Sequence, residues 1–181
     1  MRTIIVVLFL LLYTIVSLPM YLIGFILGKM DPKKKVRMSQ RFVAGGFRCI
    51  LFLSGVKVTV KGKENQIHDK AALYVFNHRS FFDIVVGYAT APIPSAFVSK
   101  KEIAKVPMIS WWMKYLNCLF LDRDDIRQGM KVILTGIELM KEGTNIFIAP
   151  EGTRNSSDEL LPFHEASFKL AEKSKSPIVP V

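Results

Sequence analysis

From Thr3 to Gly28 the chain runs 26 residues without a formal charge, a stretch that includes IIVVLFLLLY and MYLIGFILG. As a helix, such a run is long enough to cross a hydrocarbon core of roughly 30 Å, for which about 20 residues suffice. A cleaved signal peptide is the rival reading, but its apolar core is usually about 7–15 residues and ends at a small-residue site. Here the run is longer and no A-x-A-like site follows it, so the segment reads as a retained membrane anchor. Pro19 lies inside it. A proline removes a helical hydrogen bond and favours a bend, so a kinked span and a shallow hairpin in one leaflet both remain open.

The flank after the run is basic, with Lys29, Lys33, Lys34, Lys35 and Arg37 against Asp31 alone. Basic flanks stay inside, which places the body of the protein on the cytoplasmic face of the cell membrane. The net charge of +10 suits either nucleic acid or an anionic membrane. An apolar anchor beside a basic cluster decides for the phospholipid bilayer, and no nucleic-acid partner is expected. Cys49 and Cys118 have no metal-ligand spacing and imply no disulfide framework. With apolar neighbours, both are expected to be buried free thiols in a reducing compartment.

A chain of 181 residues has room for one compact domain plus a short attachment. Residues 1–53 form the attachment: the anchor, then a helix with apolar residues at helical spacing from Val36 to Leu53. Arg37, Arg41 and Arg48 would share one face of it, and the helix rests either at the lipid interface or on the body. Residues 54–181 form the domain. Val56–Val60 alternates as a strand does, and Ala71–Phe76 fits a buried strand. Further strands are expected at Ala96–Ser99, Cys118–Leu121, Asn145–Ala149 and Ile178–Val181. Helices are expected at Phe81–Thr90, Lys101–Tyr115 with a break near Pro107, Ile126–Lys141 and Phe163–Lys173. Strands separated by helices indicate an α/β fold, a mostly parallel central sheet flanked by helices. The last residues read as part of a strand, so the native chain is expected to continue past Val181.

In an open α/β sheet, ligands gather beyond the carboxyl ends of the strands. Three polar clusters follow predicted strands: Asn77-His78-Arg79-Ser80-Phe81-Phe82-Asp83, Asp122-Arg123-Asp124, and Pro150-Glu151-Gly152-Thr153-Arg154. On one continuous helix His78 and Asp83 would point about 140° apart. They meet only if His78 lies in the turn before a helix and Asp83 in its first turns, and Ser80 with Asp83 matches the helix-start pattern S-x-x-D. Asp83 then either holds the imidazole tautomer for a general base or makes a structural cap. In the third cluster, the glycine, exposed amides, the Thr153 hydroxyl and the Arg154 guanidinium suit a phosphate. Glu151 is expected to orient Arg154 or Arg123, or to bond a substrate hydroxyl. Asp124 and Asp125 read as caps for the helix at Ile126, leaving Arg123 as the functional member. Lys100 and Lys101 read as solvated lysines or as extra charge at the phosphate site. Trp111 and Trp112 read as core or as an interfacial wall, His68 as a loop residue, and His164 as a surface or helix-start residue.

Taken together, NHRSFFD, CLFLDR, IAPEGTR and PIVPV resemble four ordered blocks of the 1-acylglycerol-3-phosphate acyltransferases, which make phosphatidic acid from lysophosphatidic acid. The likeness runs from about Gly55 to Val181. It departs at Asn117, where the second block commonly has Gly, and at Ala149, where the third commonly has Phe. His164-Glu165-Ala166-Ser167 stands where Lys and Gly often follow Pro-Phe.

The resemblance implies that His78, assisted by Asp83, deprotonates the acceptor hydroxyl, and that Arg123, Glu151, Gly152 and Arg154 belong to the glycerol-phosphate site, to which Thr153 adds its hydroxyl. The implied reaction moves a fatty acyl group from an acyl thioester, acyl-CoA or acyl-carrier protein, to the sn-2 hydroxyl of a lysophospholipid acceptor. No Ser or Cys sits in a nucleophile elbow, so no acyl-enzyme is expected, and neither a metal nor a further cofactor is required. The alternatives are glycerol-3-phosphate or another lysolipid as acceptor, a metal-dependent phosphoesterase using His78, Asp83 and the carboxylates at 122–125, and a non-catalytic lipid-binding protein.

Overall fold

The computed structural model describes residues 1–181. Helix α1 (Arg2–Met30) runs unbroken through Pro19. Asp31 then takes extended geometry and caps α2 (Pro32–Ser54), accepting from the Lys34 amide at 2.9 Å, with Pro32 at the first helical position; proline fits there because that amide has no intrahelical partner. The two helices form an antiparallel hairpin. It is held where aromatic rings lie on glycines: a Cβ on Gly46 would stand 2.5 Å from the Tyr13 ring. The Tyr13 hydroxyl donates to the Phe42 carbonyl at 2.9 Å. In the same way Gly24 admits the ring of Tyr115, from the next layer.

Helix α1 is the one helix long and apolar enough to cross a membrane, and its outer face, including Leu8, Leu11, Ile15, Leu18 and Leu22, is exposed. Helix α2 rests on the body. Its buried Gln40 donates to the Pro92 carbonyl and accepts from the Ser95 amide, and Arg48 donates to the Ala89 carbonyl. Arg37 and Arg41 point outward.

The body is a five-stranded, all-parallel sheet in the order β3-β2-β4-β1-β5. The strands are β1 (Leu73–Val75), β2 (Ser95–Lys100), β3 (Leu119–Leu121), β4 (Asn145–Ile148) and β5 (Ile178–Pro180). The connecting helices are α3 (Phe82–Thr90), α4 (Ile109–Tyr115), α5 (Ile126–Lys141) and α6 (Lys169–Ser174). Alternation along each strand feeds two cores. Tyr74, Phe147 and Phe97 stack across three neighbouring strands with centroids 4.5 and 4.6 Å apart, in the core shared with α2, α3 and α4. Leu73, Ile146 and Ala96 face the other way, into the core shared with α5 and α6. There Gly136 of α5 lets Leu170 and Leu119 close in; a Cβ would meet Leu170 at 2.5 Å.

Three expectations are corrected. Val56–Val60 is exposed and forms no strand: alternation makes a strand only where a ladder partner exists, and none lies beside these residues. Cys49 is exposed, on the outer side of α2, whereas Cys118 is buried against the Tyr88 hydroxyl at 2.9 Å. The stretch expected as one helix from Phe163 to Lys173 is a 3₁₀ turn at Glu165–Ser167 followed by α6.

Candidate functional site

Strands β1 and β4 are neighbours, but the chain leaves them in opposite directions. After β1 it crosses by α3 toward β2; after β4 it crosses by α6 toward β5 on the other face of the sheet. A crevice opens at such a switch point. His78 and the Glu151–Arg154 turn stand at this place.

His78 lies in the turn before α3 and Asp83 is the second residue of that helix. His78 Nδ1 is 2.8 Å from Asp83 Oδ2. The same oxygen accepts from the Arg79 amide at 2.6 Å and the Ser80 amide at 2.7 Å, and the Ser80 hydroxyl accepts from the Phe82 amide at 3.0 Å. One carboxylate therefore satisfies the helix start and fixes the imidazole. Partial burial works to raise the Asp83 carboxyl, but the bonds from Ser80, His78 and Arg79 outweigh it and hold the group below its ordinary value. An ionised carboxylate only accepts, so the Nδ1 contact is an N–H donating to Asp83, which leaves the Nε2 lone pair free.

Glu151 orients neither arginine: it is buried at 4% exposure and pairs with neither Arg123 nor Arg154. Oε1 accepts from Asn77 Nδ2 at 2.9 Å, and Oε2 accepts from Asn155 Nδ2 at 2.8 Å and from the Leu161 amide at 3.1 Å. The Asn77, Asn155 and Leu161 bonds hold its carboxyl below the usual range. Asn155 also donates its amide to the His78 carbonyl at 2.8 Å, and Arg79 reaches the Ser157 carbonyl and Asp158. The 155–161 segment is thus strapped to the histidine loop through Glu151. Asn155 and Leu161 were missed in the sequence, and a tertiary bond network of this kind leaves no local pattern to find.

The basic groups surround the adjacent turn. Gly152 has φ +71°, a left-handed geometry that favours glycine. Arg123, just after β3, brings its Cζ to 3.8 Å from where a Gly152 Cβ would lie, and neither it nor Arg154 pairs with a carboxylate. Arg154 stacks its guanidinium on Phe81 at 4.5 Å. Thr153 is exposed. Beside Arg123 a cleft of about 310 Å³ is lined by Lys100, Glu102, Leu121, Asp122 and Asp124 among others. Lys101 donates to Asp122 at 2.6 Å; that bond is the first cause of the raised lysine and the lowered aspartate. Asp125 caps α5 by accepting from the Gln128 amide, whereas Asp124 does not cap it and instead gives its own amide to Asp122. Asn117 has φ +56°, so the position needs a residue that tolerates left-handed backbone, which Asn does.

Residues 57–181 match the family model for acyltransferases. A chloroplastic 1-acyl-sn-glycerol-3-phosphate acyltransferase of Brassica napus is 33% identical over 148 residues, 80% of this chain and 42% of that protein. The enzyme of the same name from Saccharomyces cerevisiae is 33% identical over 151 residues, covering 81% and 50%. The chain thus spans half or less of the length of these relatives. The crystal structure of the 1-acyl-sn-glycerophosphate (LPA) acyltransferase PlsC of Thermotoga maritima superposes with TM-score 0.73 at 27% identity, covering 99% of this chain and 74% of that one.

Proposed function

This chain belongs to the acyltransferase family, and from that membership we propose that it transfers a fatty acyl group from an acyl thioester to the sn-2 hydroxyl of lysophosphatidic acid. The observation that carries the reading is the His78–Asp83 pair, 2.8 Å apart in the loop that follows β1. His78 Nε2 takes the hydroxyl proton as that oxygen attacks the thioester carbonyl. Asp83 stabilises the imidazolium, and the proton passes to the leaving thiolate. Arg123, Arg154 and Thr153 beside the Gly152 turn bind the acceptor phosphate, while Glu151 holds the loops that present His78. The acyl donor is acyl-CoA or acyl-carrier protein, and no further cofactor takes part. The exposed apolar face of α1, followed by its basic flank, holds the protein on the cytoplasmic face of the membrane.

The test is to incubate membranes carrying the protein with lysophosphatidic acid and each acyl donor. Diacyl product that disappears in His78→Ala and Asp83→Ala, with lipid binding retained, supports the reading. Product that survives both substitutions sinks it.

A further inference from the structure

His164 sits where its surface position alone gives no reason to look. Its amide donates to the Pro150 carbonyl at 2.9 Å and its carbonyl accepts from the Ser167 amide at 2.9 Å, so its backbone is pinned on both sides. Its ring lies over the Gly152 turn: a Cβ on Gly152 would stand 2.8 Å from both Cδ2 and Nε2 of His164. The same point is 3.8 Å from Arg123 Cζ. Two donor groups, from segments 41 positions apart in the chain, therefore close on one glycine. The Thr153 and Arg154 amides beside it donate to no group of the chain. Asp122, the carboxylate next to Arg123, is taken by Lys101.

We propose that His164 is a binding residue for a phosphomonoester, its imidazole N–H forming a wall of the acceptor's phosphate pocket opposite Arg123. The inference rests on the function proposed above and adds to it a residue that sets acceptor specificity. Glycine at 152 is then required twice over, by the backbone and by the ring that lies against it. His164 takes no part in proton transfer; it acts on binding, and its loss raises the acceptor KM while leaving kcat and the donor KM in place.

The experiment compares the parent with His164→Ala, His164→Gln and His164→Lys. His164 is exposed, so these variants should melt with the parent. A charge-assisted hydrogen bond to phosphate corresponds to roughly a tenfold or larger change. In Ala the KM for lysophosphatidic acid should rise about tenfold, Lys should restore it, and Gln should fall between. A parallel arm measures binding of inorganic phosphate by ³¹P line broadening, which needs no turnover. Weakening in both arms means the residue reads phosphate itself; weakening in the lipid arm alone means it reads the phosphate in its lipid setting. An Ala variant with unchanged acceptor KM and unchanged phosphate binding overturns the inference, as does one whose donor KM rises instead. A parent that transfers no acyl group defeats the proposed function, and the phosphate arm still decides on His164.

Discussion

Replacing Asp83 by Asn separates the two tasks of this carboxylate. Its Oδ2 accepts three short bonds, from His78, Arg79 and Ser80, whereas Oδ1 meets only the Ser80 hydroxyl at 3.5 Å. An amide can place its oxygen where Oδ2 stands and turn its NH₂ toward that hydroxyl, so all three short bonds survive. Only the negative charge is lost. Two unit charges about 4 Å apart interact by about 4 kcal/mol at an effective dielectric near 20. A partly formed imidazolium collects a share of this, about 2–4 kcal/mol, or roughly 30- to 1000-fold in rate. Asp83→Ala loses the same charge and also frees the Arg79 and Ser80 amides at the start of α3. A lost cap costs about 1 kcal/mol, a fall of roughly 2–4 °C in melting temperature for a chain of this size. Initial rates with lysophosphatidic acid in detergent micelles, beside thermal melts of the same samples, read both quantities. The Asn variant, which keeps the three bonds and loses only the charge, should melt closer to the parent than the Ala variant does and turn over at least about 30-fold more slowly, while the Ala variant loses on both. An Asn variant that keeps more than about a third of the parental rate would reduce Asp83 to a cap and refute its role with His78.

Acid should expose the same group in a second way. Because the folded Asp83 carboxyl lies below its ordinary value, its contribution to stability is complete above that ordinary value and fades as pH falls through the folded one. Melts from pH 5 down to pH 2.5 should therefore decline more steeply in the parent than in Asp83→Asn, and parallel curves would contradict the linkage. Glu151→Gln can still accept from Asn155 and Leu161 through one oxygen, with the Asn77 amide turned to present its carbonyl. It should keep most activity, whereas Glu151→Ala should lower both kcat and melting temperature; equal loss in the two would show that the charge, not the bonding, matters. The double substitution Leu11→Glu, Leu22→Glu puts charge on the exposed face of α1, at a cost of about 2.5–3.5 kcal/mol per residue within a bilayer. It should move the protein from floated vesicles to the soluble fraction, and unchanged flotation would place the membrane contact elsewhere.

The sequence carried far where local signals and tertiary demand agree. Helix α5 occupies Ile126–Lys141 as read, because Asp125 caps it and its inner face, Ile137 and Met140, is buried in the core. The turn before α3 was legible from the geometry of His78 and Asp83, since Ser80 marks the helix start. Val56–Val60 shows the opposite case: period two describes a strand only when another strand accepts its hydrogen bonds, and no sequence window contains that partner. Cys49 looked buried because its neighbours are apolar, but those neighbours belong to a helix whose outer side it occupies. Glu151 misled for a third reason. A carboxylate beside an arginine suggests an ion pair, whereas its partners Asn77 and Leu161 approach from elsewhere in the fold. His164 stood out in the sequence only as a departure from the family block and a surface or helix-start residue; the role proposed for it comes from the fold, which lays its ring over Gly152.

The order of strands has a consequence in time. Strand β4 lies between β2 and β1 although it is made after both. Until Asn145–Ile148 leaves the ribosome, β1 has no neighbour to pair with, since β5 comes later still. Closing so long a segment makes this pairing slow relative to local helix formation. Yet it is β4 that carries the turn strapped to the His78 loop. The nascent chain therefore exposes the apolar α1 long before β4 joins the sheet. The turn that straps the His78 loop is built only once β4 has formed, and a chain stalled before it carries that loop without its partner.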